Sequence, residues 1–217
     1  MQTTPTYHKF FNLGEREGFS QLSFDTPAWL EEKLDGSMIG SLVHRGEVYL
    51  HTRGGFGKQA RDAQAAADTG HRALVQEAFE AGYTASFEYT SPDNRIVVRY
   101  GKPALTLLTL RHRKTGAYNR ALARDLSHRH RQPMAPLLAD GLSSEEEVRA
   151  RLLELRERED IEGGVLTWPN GRRLKVKTHT YLTRHKVLSD LANEREVYRC
   201  FLEGAVDDAA RDRKSVV

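Results

Sequence analysis

The sequence predicts an α+β domain, and three observations carry that prediction. Short β-prone runs with apolar residues at alternate positions recur along the chain, helical 3.6-residue spacing is confined to a few segments, and the two kinds of segment come in mixed order. With 217 residues, 39% of them apolar, the chain can bury one sizeable core. No stretch approaches the ~18 consecutive apolar residues of a membrane span, and "MQTTPTYHKFF" lacks a basic-then-apolar leader. A soluble, cytoplasmic protein without a membrane partner is expected. The single cysteine, Cys200, cannot form an internal disulfide and lacks neighbours at zinc-ligand spacing.

The elements follow in order. "WLEEKLDGSMIG" (residues 29–40) reads as a strand that carries a lysine and ends at Asp35-Gly36. Residues 39–52 read as a hairpin, because apolar residues alternate on both sides of "HRGE" and Gly46 can take the positive φ of a tight turn. Residues 57–82 are alanine-rich with Leu74, Val75, Ala78 and Phe79 at helical spacing, which predicts a helix capped by Gly82. Between 83 and 110, "YTASFEY", "RIVVRYG" and "ALTLLTL" predict three strands. Ser144 with Glu147 three residues on predicts a capped helix that buries Val148, Leu152 and Leu155. "EGGVLTW" and "RRLKVKT" predict two strands joined by "PNG", followed by a terminal helix with Leu188, Leu191, Tyr198 and Phe201 inward. The net charge of +3 conceals 24 Arg against 9 Lys and a basic run over residues 111–131. That run suits phosphates or an ordinary solvated face equally well.

The candidate chemistry lies where polar groups interrupt these strands. Lys33 and Asp35 share parity in an extended chain, so both side chains leave one face, with Gly36 allowing a tight turn beside them. In "LKVKT" the apolar Leu174 and Val176 alternate with Lys175 and Lys177, two ammonium groups about 7 Å apart along the strand. Adjacent cations ask for an anion. Glu88 sits in an aromatic strand, and Glu162 precedes a double glycine that permits a ligand to approach the backbone. Any one of these is more often a surface residue at a strand end. Together they describe a site that grips a polyphosphate and its metal ions.

The order "EKLDGS", "TRGGF", "SFEYTSPDNRIV", "LRHRKTGAY", "EGGVL", "LKVKT" resembles motifs I, Ia, III, IIIa, IV and V of the covalent nucleotidyltransferases, the superfamily of ATP-dependent ligases and mRNA capping enzymes. With "KFFNLGE", Ser37 and "KTHTYLTRHKVL", it is most similar to the RNA ligase 1 group of T-even bacteriophages, which repairs cleaved tRNA. The resemblance covers most of the chain and implies an adenylyltransferase domain whose antiparallel sheets line an ATP cleft with helices outside. It implies Lys33 as the nucleophile that forms lysyl-AMP, and passage of AMP to a 5′-phosphate end that a 3′-OH then seals. Nearby cations would favour its neutral amine. Asp35 would orient the amine or a metal-bound water, Lys175 and Lys177 would hold the α-phosphate, and Glu32, Ser37, Arg53 and Arg111 would contact the nucleotide. Glu88 and Glu162, with Asp35, would face Mg²⁺ or Mn²⁺.

Three departures shape the expectation. Met38 stands where the superfamily usually has Arg, as in the RNA ligase 1 group. Only eight residues precede Lys9, where the group carries an upstream Arg-Gly motif, so Lys9 becomes the candidate for the outer phosphates. About forty residues follow Lys177, too few for an OB-fold. The expected organisation is a nucleotidyltransferase domain over 1–182 and a helical extension over 183–217. The expected substrates are ATP and single-stranded or loop-presented RNA ends, tRNA among them, with an end-healing enzyme as a conceivable partner. The competing readings are a DNA ligase, disfavoured without an OB-fold, and a non-catalytic RNA-end-binding protein, which would not need a nucleophile.

Overall fold

The structure, a computed structural model, describes residues 10–15, 22–94 and 97–186. In chain order its elements are β1 (Phe11–Asn12), β2 (Ala28–Lys33), β3 (Ser37–His44), β4 (Glu47–His51), α1 (Lys58–Ala66), α2 (Thr69–Glu80), β5 (Tyr83–Thr90), β6 (Ala104–His112), α3 (Arg120–Arg129), β7 (Leu137–Leu142), α4 (Glu145–Arg156), β8 (Gly163–Thr167) and β9 (Arg173–Lys177). Residues 179–186 are helical. The strands form two sheets, ordered β1-β9-β8-β2-β7 and β4-β3-β5-β6. All pairings are antiparallel except the short β1–β9 pair.

Each sheet has a core on one face only. Ile39, Leu50, Ala85, Phe87, Leu105 and Leu107 of the four-stranded sheet pack against Leu74, Val75, Ala78 and Leu126 of α2 and α3. Leu30, Leu166, Leu174 and Val176 of the five-stranded sheet pack against Val148, Leu152 and Leu155 of α4. Because strand side chains alternate, the two remaining faces carry the polar set, and they face each other. Arg173 on β9 donates to Thr109 on β6 across the gap at 3.3 Å. The chain crosses from one sheet to the other through Leu34-Asp35-Gly36, the three residues between β2 and β3.

Several expected elements stand as read. The 39–52 hairpin turns at Arg45 and Gly46, both with positive φ (50° and 80°), the backbone of a tight two-residue turn. Ser144 caps α4 by accepting the Glu147 N–H at 3.2 Å, and Val148, Leu152 and Leu155 are buried. Other expectations need correction. The single helix over 57–82 is two, because Asp68 starts a second: its carboxylate accepts the His71 N–H while the His71 ring accepts the Asp68 N–H. "RIVVRYG" is not a strand over its described part, 97–101, where side-chain hydrogen bonds replace a ladder. In the basic run, α3 buries Ala123 and Leu126. Leu188, Leu191, Tyr198 and Phe201, with most of the 183–217 extension, lie outside the described residues.

Candidate active site

The facing surfaces bring the central residues together. Along β2, Trp29, Glu31 and Lys33 share the cleft face, opposite Thr167, Val165 and Gly163 of β8 and, beyond them, Arg173, Lys175 and Lys177 of β9. Lys33 Nζ lies 2.5 Å from Glu162 Oε2, and Lys177 Nζ lies 3.4 Å from Oε1 of the same carboxylate. Glu162 is almost fully buried while the two lysines keep about a quarter of their side-chain surface open. Lys175 stands over the Phe10 ring at 4.8 Å. Burial first, and then the Lys33 and Lys177 charges, hold its ammonium below the usual lysine range. Lys33 and Lys177 thus share one carboxylate, with Lys175 two positions along β9 from Lys177.

Opposite them, Glu88 on β5 accepts the Gly36 N–H, and burial pushes its carboxyl up to about 8, opposed by Lys33 and reinforced by Glu162 and Asp35. Asp35 is 1% exposed. One of its oxygens accepts the Val97 and Val98 N–H groups at 2.7 Å each, and the other accepts the Tyr181 hydroxyl at 3.0 Å. Its own N–H donates to the Tyr100 hydroxyl at 2.9 Å. Asp35 therefore fastens the turn after Lys33 to two other parts of the chain. Burial is the main reason the Tyr100 phenol is pushed up to about 12 and the Tyr181 phenol higher still, with Asp35 and other carboxylates adding to both. Tyr181 also lies under Lys177, 4.8 Å from ammonium to ring centroid.

The glycines serve the backbone. A Cβ on Gly36 would sit 2.3 Å from the Tyr89 carbonyl oxygen, and one on Gly163 would sit 2.0 Å from that of Val176. The expected close approach at the double glycine is thus made at Gly163 by β9. Ser37 exchanges hydrogen bonds with the Asn94 amide at 3.1 and 3.2 Å, fixing the start of β3. Arg53 is exposed in the turn after β4. Arg111 is placed at the far end of β6, its Nε donating to the Gly116 carbonyl. Glu32 faces away from Lys33, on the α4 side of β2, and burial raises its carboxyl. Lys9 lies outside the described residues. The basic run does not present one face: Arg113 covers Phe79, Arg120 pairs with Glu31 and Asp140, and Arg129 pairs with Glu77 and Asp125.

Beyond Lys33 the cleft deepens into a cavity of about 240 Å³, lined by Trp29, Glu31, Thr109, Tyr118, Arg120 and Arg173 among others. Burial raises the Glu31 carboxyl against the opposing pull of Arg120, whose Nε lies 3.6 Å away. Arg173 stacks over Tyr118 at 3.9 Å. Glu31 and Arg173 were legible by strand parity, two positions from Lys33 and Lys175. Tyr181 carried no such signal. Among the described residues, no three carboxylate, imidazole or thiol groups converge to hold a metal ion, and no helix is long and apolar enough to cross a membrane.

The family model for RNA ligases of the T4 type 1 group matches residues 4–187. The chain belongs to the RNA ligase family. It is 29% identical, over 93% of its length, to a Thermovibrio ammonificans protein carrying a provisional RNA ligase name, of which the match covers 54%. It is 30% identical to RNA ligase 1 of bacteriophage TS2126 over 52% of this chain and 31% of that protein. The chain thus spans about half the length of the first relative and less of the second. The fold matches that of a Naegleria gruberi RNA ligase solved with ATP and manganese, with a TM-score of 0.66 at 13% identity over 86% of this chain and 59% of that one. The nucleotidyltransferase fold of this family accounts for two sheets facing each other across a cleft.

Proposed function

We propose that this chain is the adenylyltransferase part of an ATP-dependent RNA ligase that joins 5′-phosphate and 3′-OH ends through a lysyl-AMP intermediate. The observation that carries the reading is the pairing of Lys33 and Lys177 with buried Glu162, beside Lys175, on strands whose next cleft-facing residues, Glu31 and Arg173, line a cavity of about 240 Å³. Lys33 Nζ attacks the α-phosphorus of ATP: the N–P bond forms, the bond from that phosphorus to the bridging oxygen breaks, and pyrophosphate leaves with the electron pair. The amine's proton passes to Glu162, its nearest acceptor. Lys175 and Lys177 stabilise the charge that develops on the α-phosphate oxygens.

Glu31, buried at the base end, accepts from the exocyclic amino group of adenine, and Val165 and Thr109 flank the ring. Asp35 does not touch the reacting atoms; it holds the turn that aims Lys33. A divalent cation would be held mainly by the phosphates and water with Glu88 alongside, because Glu162 and Asp35 are committed to protein donors. When bound it screens the triphosphate and stabilises the leaving group. AMP then moves from Lys33 to an RNA 5′-phosphate, and a 3′-OH displaces it to close the strand. Broken tRNA loops and generic single-stranded ends both fit, and repair in the cytoplasm, with a separate enzyme healing the ends, is the setting that suits such a reaction. The test is incubation with α-labelled ATP and Mg²⁺, followed by mass mapping of the denatured protein. One AMP on Lys33, chased onto 5′-phosphorylated RNA, supports the reading; no adduct with any nucleotide and metal overturns it.

A further inference from the structure

Two of the five large hydrophobic side chains exposed among the described residues neighbour His51 at the β4 edge of the cleft-facing surface. Tyr49 is 39% and Phe56 46% exposed. Register fixes where they point. Val48 and Leu50 of β4 turn into the helix-side core, so Tyr49 and His51 take the opposite face, shared with Gly40, Met38, Ser86 and Glu88. Phe56 packs edge-on against His51 with ring centroids 6.2 Å apart, placing its ring beside that face.

The turn that presents Phe56 is held fast. Thr52 and Gly55 exchange backbone hydrogen bonds at 2.9 and 3.0 Å, the Thr52 hydroxyl adds a third to the Gly55 carbonyl, and Arg61 donates to the Phe56 carbonyl. The same turn exposes Arg53, which makes no ion pair among the described residues. Two exposed rings on a firm support, with an exposed guanidinium between them in the sequence, match the chemistry of single-stranded nucleic acid: bases stack on aromatic faces whatever their identity, and a cation meets the backbone.

We propose that Tyr49 and Phe56 form a base-stacking platform for the RNA strand entering the cleft, with Arg53 on its phosphate. The platform rests on the ligase reading for the identity of the strand, and it acts on RNA binding while leaving the reaction of Lys33 with ATP untouched. A protein partner on the same rings is the competing occupant.

Binding of a labelled single-stranded RNA with a 5′-phosphate is measured by fluorescence anisotropy without ATP, and adenylation of Lys33 is measured separately. Phe56→Ala and Tyr49→Ala each weaken RNA binding by about 5- to 100-fold, the range for loss of one stacked base, with adenylation within about twofold. Phe56→Trp keeps binding and Phe56→Leu loses it. Abasic nucleotides at the 5′ end weaken binding to the wild type and add nothing further in the Tyr49→Ala/Phe56→Ala double variant. Unchanged RNA binding in that double variant overturns the proposal, as does full binding in Phe56→Leu, which marks an apolar protein contact. An absent Lys33 adduct in the wild type strikes the ligase reading alone, because the binding measurement reads the platform by itself.

Discussion

The two ends of the cleft are built differently. At the Lys33 end, Lys33 and Lys177 keep about a quarter of their side-chain surface open while both meet the buried Glu162 carboxylate. At the cavity end, Glu31, Arg120 and Arg173 are drawn inside and paired, with Trp29 and Tyr118 as their walls. On the ligase reading proposed above, the first end would handle a charged group common to all nucleoside triphosphates. The second would meet the base, where discrimination requires buried groups whose hydrogen bonds fail when the wrong partner arrives.

Substitutions can break this contrast, the largest effects being at the open end. Lys33→Ala should remove the AMP adduct altogether by intact-mass measurement; an adduct persisting on another lysine would relocate the nucleophile. Lys175→Ala and Lys177→Ala should each slow adenylation by two or more orders of magnitude, the scale of losing one preorganised charge-stabilising group. Single-turnover rates near wild type would return both lysines to the strand surface. At the cavity end, Glu31→Gln should lower the preference for ATP over GTP by about tenfold, the scale of one charged hydrogen bond, since the amide can serve either base; competition between the two nucleotides reads it.

A fourth test uses pH. Glu88 takes its proton at about 8 in the folded protein against 4.5 unfolded, so the native state holds the extra proton in between. Its contribution to stability is full below about 4.5 and is lost as pH rises through about 8. In EDTA and without nucleotide, Glu88→Gln should therefore gain on the wild type as pH goes from 5 to 9, the Tm difference moving in the variant's favour by at least about 3 °C. A constant gap would show that Glu88 is ionised throughout. The smallest effect is expected for Glu32→Gln, within about threefold in adenylation, because that side chain lies on the other face of β2. A hundredfold loss there would mean that the strand register is wrong.

The same contrast explains what could be read from the sequence. Lys33, Lys175, Lys177, Glu88 and Glu162 were legible only in combination, since each alone is more often a surface residue at a strand end. Glu31 was passed over for its neighbour Glu32, although strand alternation alone favours the residue two positions from Lys33. The break between α1 and α2 was hidden because an alanine-rich stretch reads as continuous until the Asp68–His71 cap is noticed. In the basic run, three apolar positions, Leu122, Ala123 and Leu126, were outweighed by the arginines around them, and neither the phosphate reading nor the solvated-face reading anticipated Phe79, Glu31 and Glu77 as partners within the chain. Tyr100 and Tyr181 meet Asp35 from 65 and 146 residues away, contacts that no local pattern encodes.

The Asp35 junction has a mechanical consequence. One buried carboxylate pins the turn after Lys33, the 97–98 backbone and Tyr181 in the 179–186 helix, whose first turn is closed by Thr178 accepting the Tyr181 N–H. Three segments far apart in the chain therefore share one fastening, and a displacement of any of them must either carry the turn after Lys33 with it or leave a buried carboxylate short of a donor.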